Sequence, residues 1–244
     1  MEGPSLIILR KELSAFKGMT INAVEGNTRI NKNLFLNQTI RNFKTWGKHF
    51  LIVFKKFSIR IHFLMFGSYR INQRKEGAVP RLSLQFSDGS EINFYTCSIQ
   101  ILDGSVNDHY DWSTDVMSTK WDPKRAHKKL KGLPTLNVGD ALLDQQIFSG
   151  VGNIIKNEVL FRIKVHPESI IGGLPSRKLG DLIREARAYS FDFLKWKKKY
   201  ELKKHWLIYT KKKCPRCHLQ VRKKYTGKTK RRSFFCENCQ RFFD

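Results

Sequence analysis

The apolar positions change period as the chain is read. In "SLIILRKELSAF" (5–16), Leu6, Ile7, Leu9, Leu13 and Phe16 recur at helical spacing, which predicts a short helix near the start. From residue 49 the pattern becomes that of strands. "HFLIVFKKFSIRIHFLMFG" (49–67) is rich in β-branched and aromatic residues and is broken only at Lys55-Lys56. "RLSLQFSDGSEINFYTC" alternates at Leu82, Leu84 and Phe86 and turns at Asp88-Gly89, which predicts a hairpin. Residues 103–135 are polar, with Asp122-Pro123 and Leu133-Pro134, and predict a linker running into short helices. Helical spacing then returns at 139–150 and 153–163, separated by Gly150-Val151-Gly152. A longer helix is predicted over 175–199, with Ser176 as its cap and Leu179, Leu182, Ile183, Ala186, Tyr189 and Phe193 on its apolar face. From Lys211 onward the chain reads as a separate unit.

Composition adds a partner. The 46 Lys and Arg residues face 21 acids, a formal charge of +25, with 41% hydrophobic residues to build a core. Between Lys195 and Asp244 there are 18 basic and 3 acidic residues, so +15 of that charge lies in the last fifth of the chain. Such an excess implies a polyanion. The basic residues alternate with aromatics and turn residues, without the clean stripe of a membrane-surface helix, so nucleic acid is the leading partner. No run of 18 apolar residues is present and no membrane span is expected. The start lacks a basic segment followed by an apolar one, so a cytoplasmic location is expected.

Five cysteines are an odd number, which argues against a disulfide framework. Cys97 lies in an apolar run and reads as a buried small hydrophobe. The other four form "CPRC" and "CENC", two C-x2-C knuckles with 18 residues between them. Each knuckle can deliver two thiolates from one tight turn, so Cys214, Cys217, Cys236 and Cys239 are read as ligands of one structural Zn²⁺. A redox pair is the alternative. His218 is a fifth candidate ligand or a surface residue. The segment between the knuckles predicts a two-strand hairpin turning at Thr226-Gly227 and presenting Lys228, Lys230, Arg231 and Arg232.

Two further stretches carry chemistry. In "SGVGN" (149–153) glycines permit a tight turn and Asn153 is placed to cap the next helix, whose N–H groups would suit a phosphate oxygen. A plain helical corner is the alternative. "MEGPSL" sets Glu2 beside a terminal amine and stiffens the chain with Gly3-Pro4; a disordered terminus is the alternative.

The order of these parts resembles the formamidopyrimidine-DNA glycosylase and endonuclease VIII family. The resemblance rests on Glu2-Gly3-Pro4, a β-rich half, "LLDQQIFSGVGNIIKNEVLF" and the four-cysteine finger, and it spans essentially the whole chain. It implies an α+β multidomain fold. The expected parts are a β-sandwich with a leading helix (1–115), a helix–two-turn–helix domain (116–208) and a zinc-finger β-hairpin (209–244). It implies a DNA-repair enzyme that excises oxidised bases and then nicks the strand, acting on damaged DNA as a monomer. Carried over residue by residue, Lys48 in "WGKHFLIVF" matches the family's phosphate-contacting strand lysine. Asn153 matches its helix-turn asparagine. Arg231, five residues before the third cysteine, matches its finger arginine. "HFLMFG" matches the wedge loop, so Leu64, Met65 and Phe66 would fill the gap left by an everted base. From the residues alone that stretch could equally be the end of a core strand.

Two departures bear on activity. "FYTCSIQIL" stands where one branch has an Arg-Arg-Phe loop, which looks closer to the endonuclease VIII branch and shifts the expected substrate to oxidised pyrimidines. The family starts Met-Pro-Glu and uses the proline amine after methionine removal; here Met1 directly precedes Glu2. Glu2 is large, so Met1 is expected to be retained, with its primary amine as nucleophile and Glu2 as acid–base partner. Ser5 also replaces the family's usual glutamate. The alternatives are a catalytically weakened relative that binds abasic or distorted DNA, and an RNA-binding zinc protein outside the family.

Overall fold

The computed structural model describes residues 1–244. The chain divides into two compact units: Met1 with Leu6–Tyr110, and Glu2–Ser5 with Asp111–Asp244. No helix is long and apolar enough to cross a membrane.

Helix α1 (Gly3–Glu12), which belongs to the first unit from Leu6 onward, runs into a 3-10 turn (Leu13–Phe16). The fully buried Leu6, Leu9 and Leu13 are the helically spaced positions of the sequence. Six strands follow: β1 (Ile21–Glu25), β2 (Asn42–Trp46), β3 (His49–Val53), β4 (Phe57–Ile71), β5 (Leu82–Phe86) and β6 (Glu91–Asp103). They form one antiparallel sheet in the order β1-β5-β6-β4-β3-β2. The long strands β4 and β6 each serve both halves of the sheet, which folds over into a β-sandwich. Phe50 of one half meets Phe94 of the other, ring centroids 6.2 Å apart. Alternation along β4 places Ile59, Ile61 and Phe63 in the core and leaves Arg60 and His62 half-exposed between them. A short helix α2 (Val106–His109) closes this unit.

The second unit holds α3 (Pro123–Lys131), α4 (Val138–Leu143), α5 (Asn153–Arg162), α6 (Ser176–Lys198) and the hairpin β7 (Arg222–Thr226) and β8 (Arg231–Phe235). The helices share a core that includes Leu142, Phe148, Ile155, Val159, Leu182 and Tyr189. Phe161 of α5 instead joins Ile208, Val221, Phe234, Cys214 and Cys236 in a smaller cluster beneath the hairpin.

Two local expectations change. The helix expected over 139–150 ends at Leu143, because the Gln145 side chain bonds the Leu143 and Val151 carbonyls and the Gly150 N–H. Those bonds satisfy a non-helical turn. Ser176 is not a cap but the first residue of α6; Pro175 holds the cap position, with no side-chain cap bond.

Candidate functional site

In the first unit, Met1 lines an open cavity of about 360 Å³ with Ser68, Tyr69, Arg70 and Ile71. The Ser68 hydroxyl oxygen is buried there without a hydrogen-bond partner. Lys48 lies in the tight turn between β2 and β3, followed by His49. His49 faces His62 across the β3–β4 pair. Burial, assisted by the charges of Arg60, His62 and Lys48, pushes His49 down to about 4. It therefore stays neutral at pH 7, with Nδ1 3.2 Å from the Tyr110 hydroxyl. His62 is lowered by burial first, then by the N-terminal charge, Lys48 and Arg60. The terminal amine and Lys48 thus act on one histidine, which concentrates positive charge around it.

The three expected wedge residues lie in an interruption of the sheet. Phe63 pairs with Cys97 and Ser68 with Tyr95, so four residues (64–67) stand opposite Thr96 alone. A strand with surplus residues must push them out of the ladder. Leu64, Met65 and Phe66 are 48%, 78% and 80% exposed, so they are not the end of a core strand. Gly67 makes the return possible: a Cβ there would lie 2.7 Å from the Thr96 carbonyl oxygen and 2.8 Å from Phe63 Cβ. Thr96 itself has φ 48°, the left-handed region, where the two strands rejoin.

In the second unit the start of α5 differs from the expectation in an instructive way. Asn153 does not cap the helix; Gly152 holds that position, and Asn153 is the first helical residue. The cap comes from Glu2. Its carboxylate accepts from the Ile154 N–H (2.7 Å) and the Ile155 N–H (3.4 Å), while the Gly3 N–H donates to the Gly150 carbonyl (3.0 Å). An acid beside a helix N-terminus satisfies orphan donors and the helix dipole together. Two N–H groups expected to receive a phosphate oxygen therefore hold a carboxylate. Gly152 is required by space: a Cβ there would lie 2.5 Å from Glu2 Cγ and Cδ.

The next residues of α5 grip the hairpin. The Asn153 amide donates to the Arg232 carbonyl (3.0 Å), as does the Asn157 amide (3.3 Å). Asn157 Oδ1 accepts from the Phe234 N–H (2.7 Å). Buried Lys156 donates to Ser233 Oγ (2.8 Å) and reaches the Arg232 carbonyl (3.4 Å). Burial lowers Lys156 to about 8. From α4, the Asp140 carboxylate accepts from the Lys228 and Thr229 N–H groups at 2.6 and 3.2 Å and fixes the hairpin turn. Arg231 is exposed at the first position of β8, beside the residue whose carbonyl is held three ways. The buried Glu158 accepts from the Leu207, Ile208 and Tyr209 N–H groups at 2.8–3.0 Å and anchors the segment entering the finger.

The four cysteines converge. Their Sγ atoms all lie within 4.8 Å of one another, with Cys214–Cys239 at 3.8 Å and Cys217–Cys236 at 3.4 Å. Four sulfurs about 2.3 Å from a tetrahedral ion would be roughly 3.8 Å apart, so the set fits a metal and leaves no open coordination position. His218 is not part of the cluster. Cys97 is buried, and burial raises its thiol to about 12.

Sequence reasoning named Glu2 without its partner, read Gly152 only as a turn residue, and passed over Lys156 and the influence of the terminal amine on His62. Lys156 left a trace: the helical period sets it between the apolar Val159 and Leu160.

Comparisons with known proteins agree with this layout. The profile of the formamidopyrimidine-DNA glycosylase N-terminal domain matches residues 2–97 and that of the formamidopyrimidine-DNA glycosylase H2TH domain matches 113–189. Endonuclease 8-like 3 of Mus musculus is 31% identical over 216 residues, which cover 85% of this chain and 36% of that protein. Endonuclease 8-like 2 of Bos taurus is 34% identical over 197 residues, covering 75% of this chain and 58% of that one. The chain thus spans about a third of the length of its endonuclease 8-like 3 relatives. A viral DNA glycosylase superposes with a TM-score of 0.85 at 20% identity, covering 99% of this chain and 100% of that one. Lactococcus lactis formamidopyrimidine-DNA glycosylase, bound to DNA containing an abasic site, gives 0.87 at 22%, with the same coverage.

Proposed function

From the premise that the chain belongs to the formamidopyrimidine-DNA glycosylase and endonuclease VIII family, we propose that it excises oxidised bases from DNA, pyrimidines in preference, and cuts the strand at the resulting abasic site. The observation that carries this reading is the Glu2 carboxylate, held by the Ile154 and Ile155 N–H groups directly after the residue that bears the amine. Two N–H donors fix the orientation of the carboxylate, which a proton shuttle requires. The preference for pyrimidines rests on residues 94–102, which lie within β6 and carry no Arg-Arg-Phe sequence.

The chemistry proceeds by nucleophilic catalysis. The neutral Met1 amine donates its lone pair to C1′ of the everted nucleotide. The C1′–N bond breaks and the base leaves with its electron pair, taking a proton. Loss of a proton from the amine nitrogen and opening of the sugar give an imine between C1′ and Met1, which is reprotonated to an iminium. Glu2 moves protons between these groups. The iminium draws electrons from the C2′–H bond; Glu2 or water takes the proton, the C3′–O bond breaks, and the 3′ phosphate departs. The exposed Leu64, Met65 and Phe66 occupy the vacated stack. Lys48 and Arg231 neutralise phosphates, and Asn153 holds the strand that presents Arg231. Cys214, Cys217, Cys236 and Cys239 would hold a Zn²⁺ ion, which would brace the finger and supply no chemistry to the reaction.

The primary amine of Met1 supports a second reading within the same family. An imine from a primary amine is a full electron sink only when protonated, whereas the iminium of a secondary amine is permanently charged. Excision weaker than lyase cleavage follows. Borohydride reduction on abasic-site DNA, with mass mapping of the crosslinked peptide, tests both. A crosslink on Met1 is expected. A crosslink on Lys48, or tight binding with no crosslink, would leave the protein a damaged-DNA binder.

A further inference from the structure

The two adjacent finger arginines point to opposite faces of their hairpin. Strand alternation and the pairing Thr226↔Arg231, Tyr225↔Arg232, Lys224↔Ser233 and Lys223↔Phe234 set Arg231 on the face with Ser233 and Phe235. That face is the one Lys156 of α5 touches through Ser233. Arg232 shares the other face with Lys223, Tyr225 and Phe234. There its guanidinium donates to the Tyr225 hydroxyl (2.9 Å) and lies 5.5 Å from the Tyr225 ring centroid. Tyr225 is 60% exposed, and both Lys223 and Arg232 are exposed.

Beyond this pair the face turns inward: Phe234 is buried in the cluster around Phe161 and Ile208. Phe234 meets Tyr209 edge-on at 5.2 Å, and Tyr209 meets Trp206 at 4.9 Å. The acids paired with the hairpin lie on the other side: Glu237 of the finger pairs with Arg222, and Glu168, which precedes α6, pairs with Lys224, and both of these cations belong to the first face. An exposed ring fixed by a guanidinium, with a second cation beside it, matches the way unpaired bases are held: a base stacks on the ring while the cations take the flanking phosphates.

We propose that this outer face of the finger, centred on Tyr225 and Arg232, binds unpaired nucleotides of a DNA strand, as a site separate from the face that carries Arg231. The proposal rests on the reading of the protein as DNA-binding, but not on its chemistry. Paired bases offer no face to the ring, so the site selects single-stranded over duplex DNA.

The test compares wild type with Tyr225→Leu, Tyr225→Phe and Arg232→Gln on an unstructured oligothymidylate and on a duplex containing an abasic site. Fluorescence anisotropy reads affinity, and borohydride trapping on the duplex reads the lyase chemistry. Tyr225→Leu is expected to weaken oligothymidylate binding roughly tenfold, the scale of one lost base–aromatic stack. Tyr225→Phe should keep most of the affinity, because the ring remains, and Arg232→Gln should lower it. Duplex affinity and trapping should be unchanged in all three, and an unchanged melting temperature shows that the finger is folded. Unchanged oligothymidylate affinity in Tyr225→Leu, or equal losses on both DNAs, would overturn the proposal. Absence of trapping in the wild type would count against the Schiff-base reading alone, since the oligothymidylate comparison is still read.

Discussion

Replacing Lys156 with methionine tests whether the buried ammonium is a source of stability or a cost. Burial lowers this lysine from 10.5 to about 8, opposed by Asp140 of α4 and Glu2 and reinforced by Arg231 of β8. Keeping it charged in the fold therefore costs about 3 kcal/mol relative to water. Methionine fills a similar volume without the charge. The acceptors it abandons are not orphaned: Ser233 Oγ retains Thr226 Oγ1 at 2.6 Å, and the Arg232 carbonyl retains Asn153 and Asn157. Lys156→Met is therefore expected to be between neutral and about 2 kcal/mol more stable at pH 7. The pH dependence has a definite sign. Between pH 8 and 10.5 the unfolded lysine keeps its proton and the folded one has released it, so wild-type stability rises with pH across that window. The variant lacks this component, so its advantage should shrink by about 3 kcal/mol as pH rises through it. Urea unfolding followed by tryptophan fluorescence at pH 7, 8, 9 and 10 measures the difference. A loss of more than about 2 kcal/mol at pH 7, with a pH-independent gap, would refute the reasoning and make the ammonium's hydrogen bonds dominant.

Gly152→Ala should expel the Glu2 carboxylate from the start of α5, because its Cβ would lie 2.5 Å from the Glu2 side chain. Trapping on abasic DNA should fall at least tenfold while the fold survives, and normal trapping would remove Glu2 from the mechanism. Cys214→Ser should release one equivalent of zinc, read by metal analysis, and abolish duplex binding while the β-sandwich still unfolds cooperatively; full metal retention would contradict the four-thiolate site. Met65→Ala should slow excision from intact duplex far more than cleavage at a preformed abasic site, because only the first substrate requires unstacking a base. With the side chain 78% exposed, the melting temperature should not move.

The sequence by itself determined the features recorded in neighbouring residues. The helical period of Leu6, Leu9 and Leu13, the alternation through Ile59, Ile61 and Phe63, and the turns at Asp88-Gly89 and Gly227 each reflect burial or backbone freedom at that position. Two C-x2-C knuckles likewise announce a metal site, because a knuckle is a local structure. Tertiary structure decided what joins residues far apart in the chain. Glu2 reaches Ile154, Asp140 reaches Lys228, and Lys156 reaches Ser233. "HFLMFG" is as apolar as a core strand, and its side chains are exposed only because four residues must face Thr96 across the sheet. Asn153 looks like a cap because asparagine often is one, yet a carboxylate 151 residues earlier in the chain takes those donors. A local pattern can state that a polar group needs a partner; only packing in three dimensions selects which partner arrives.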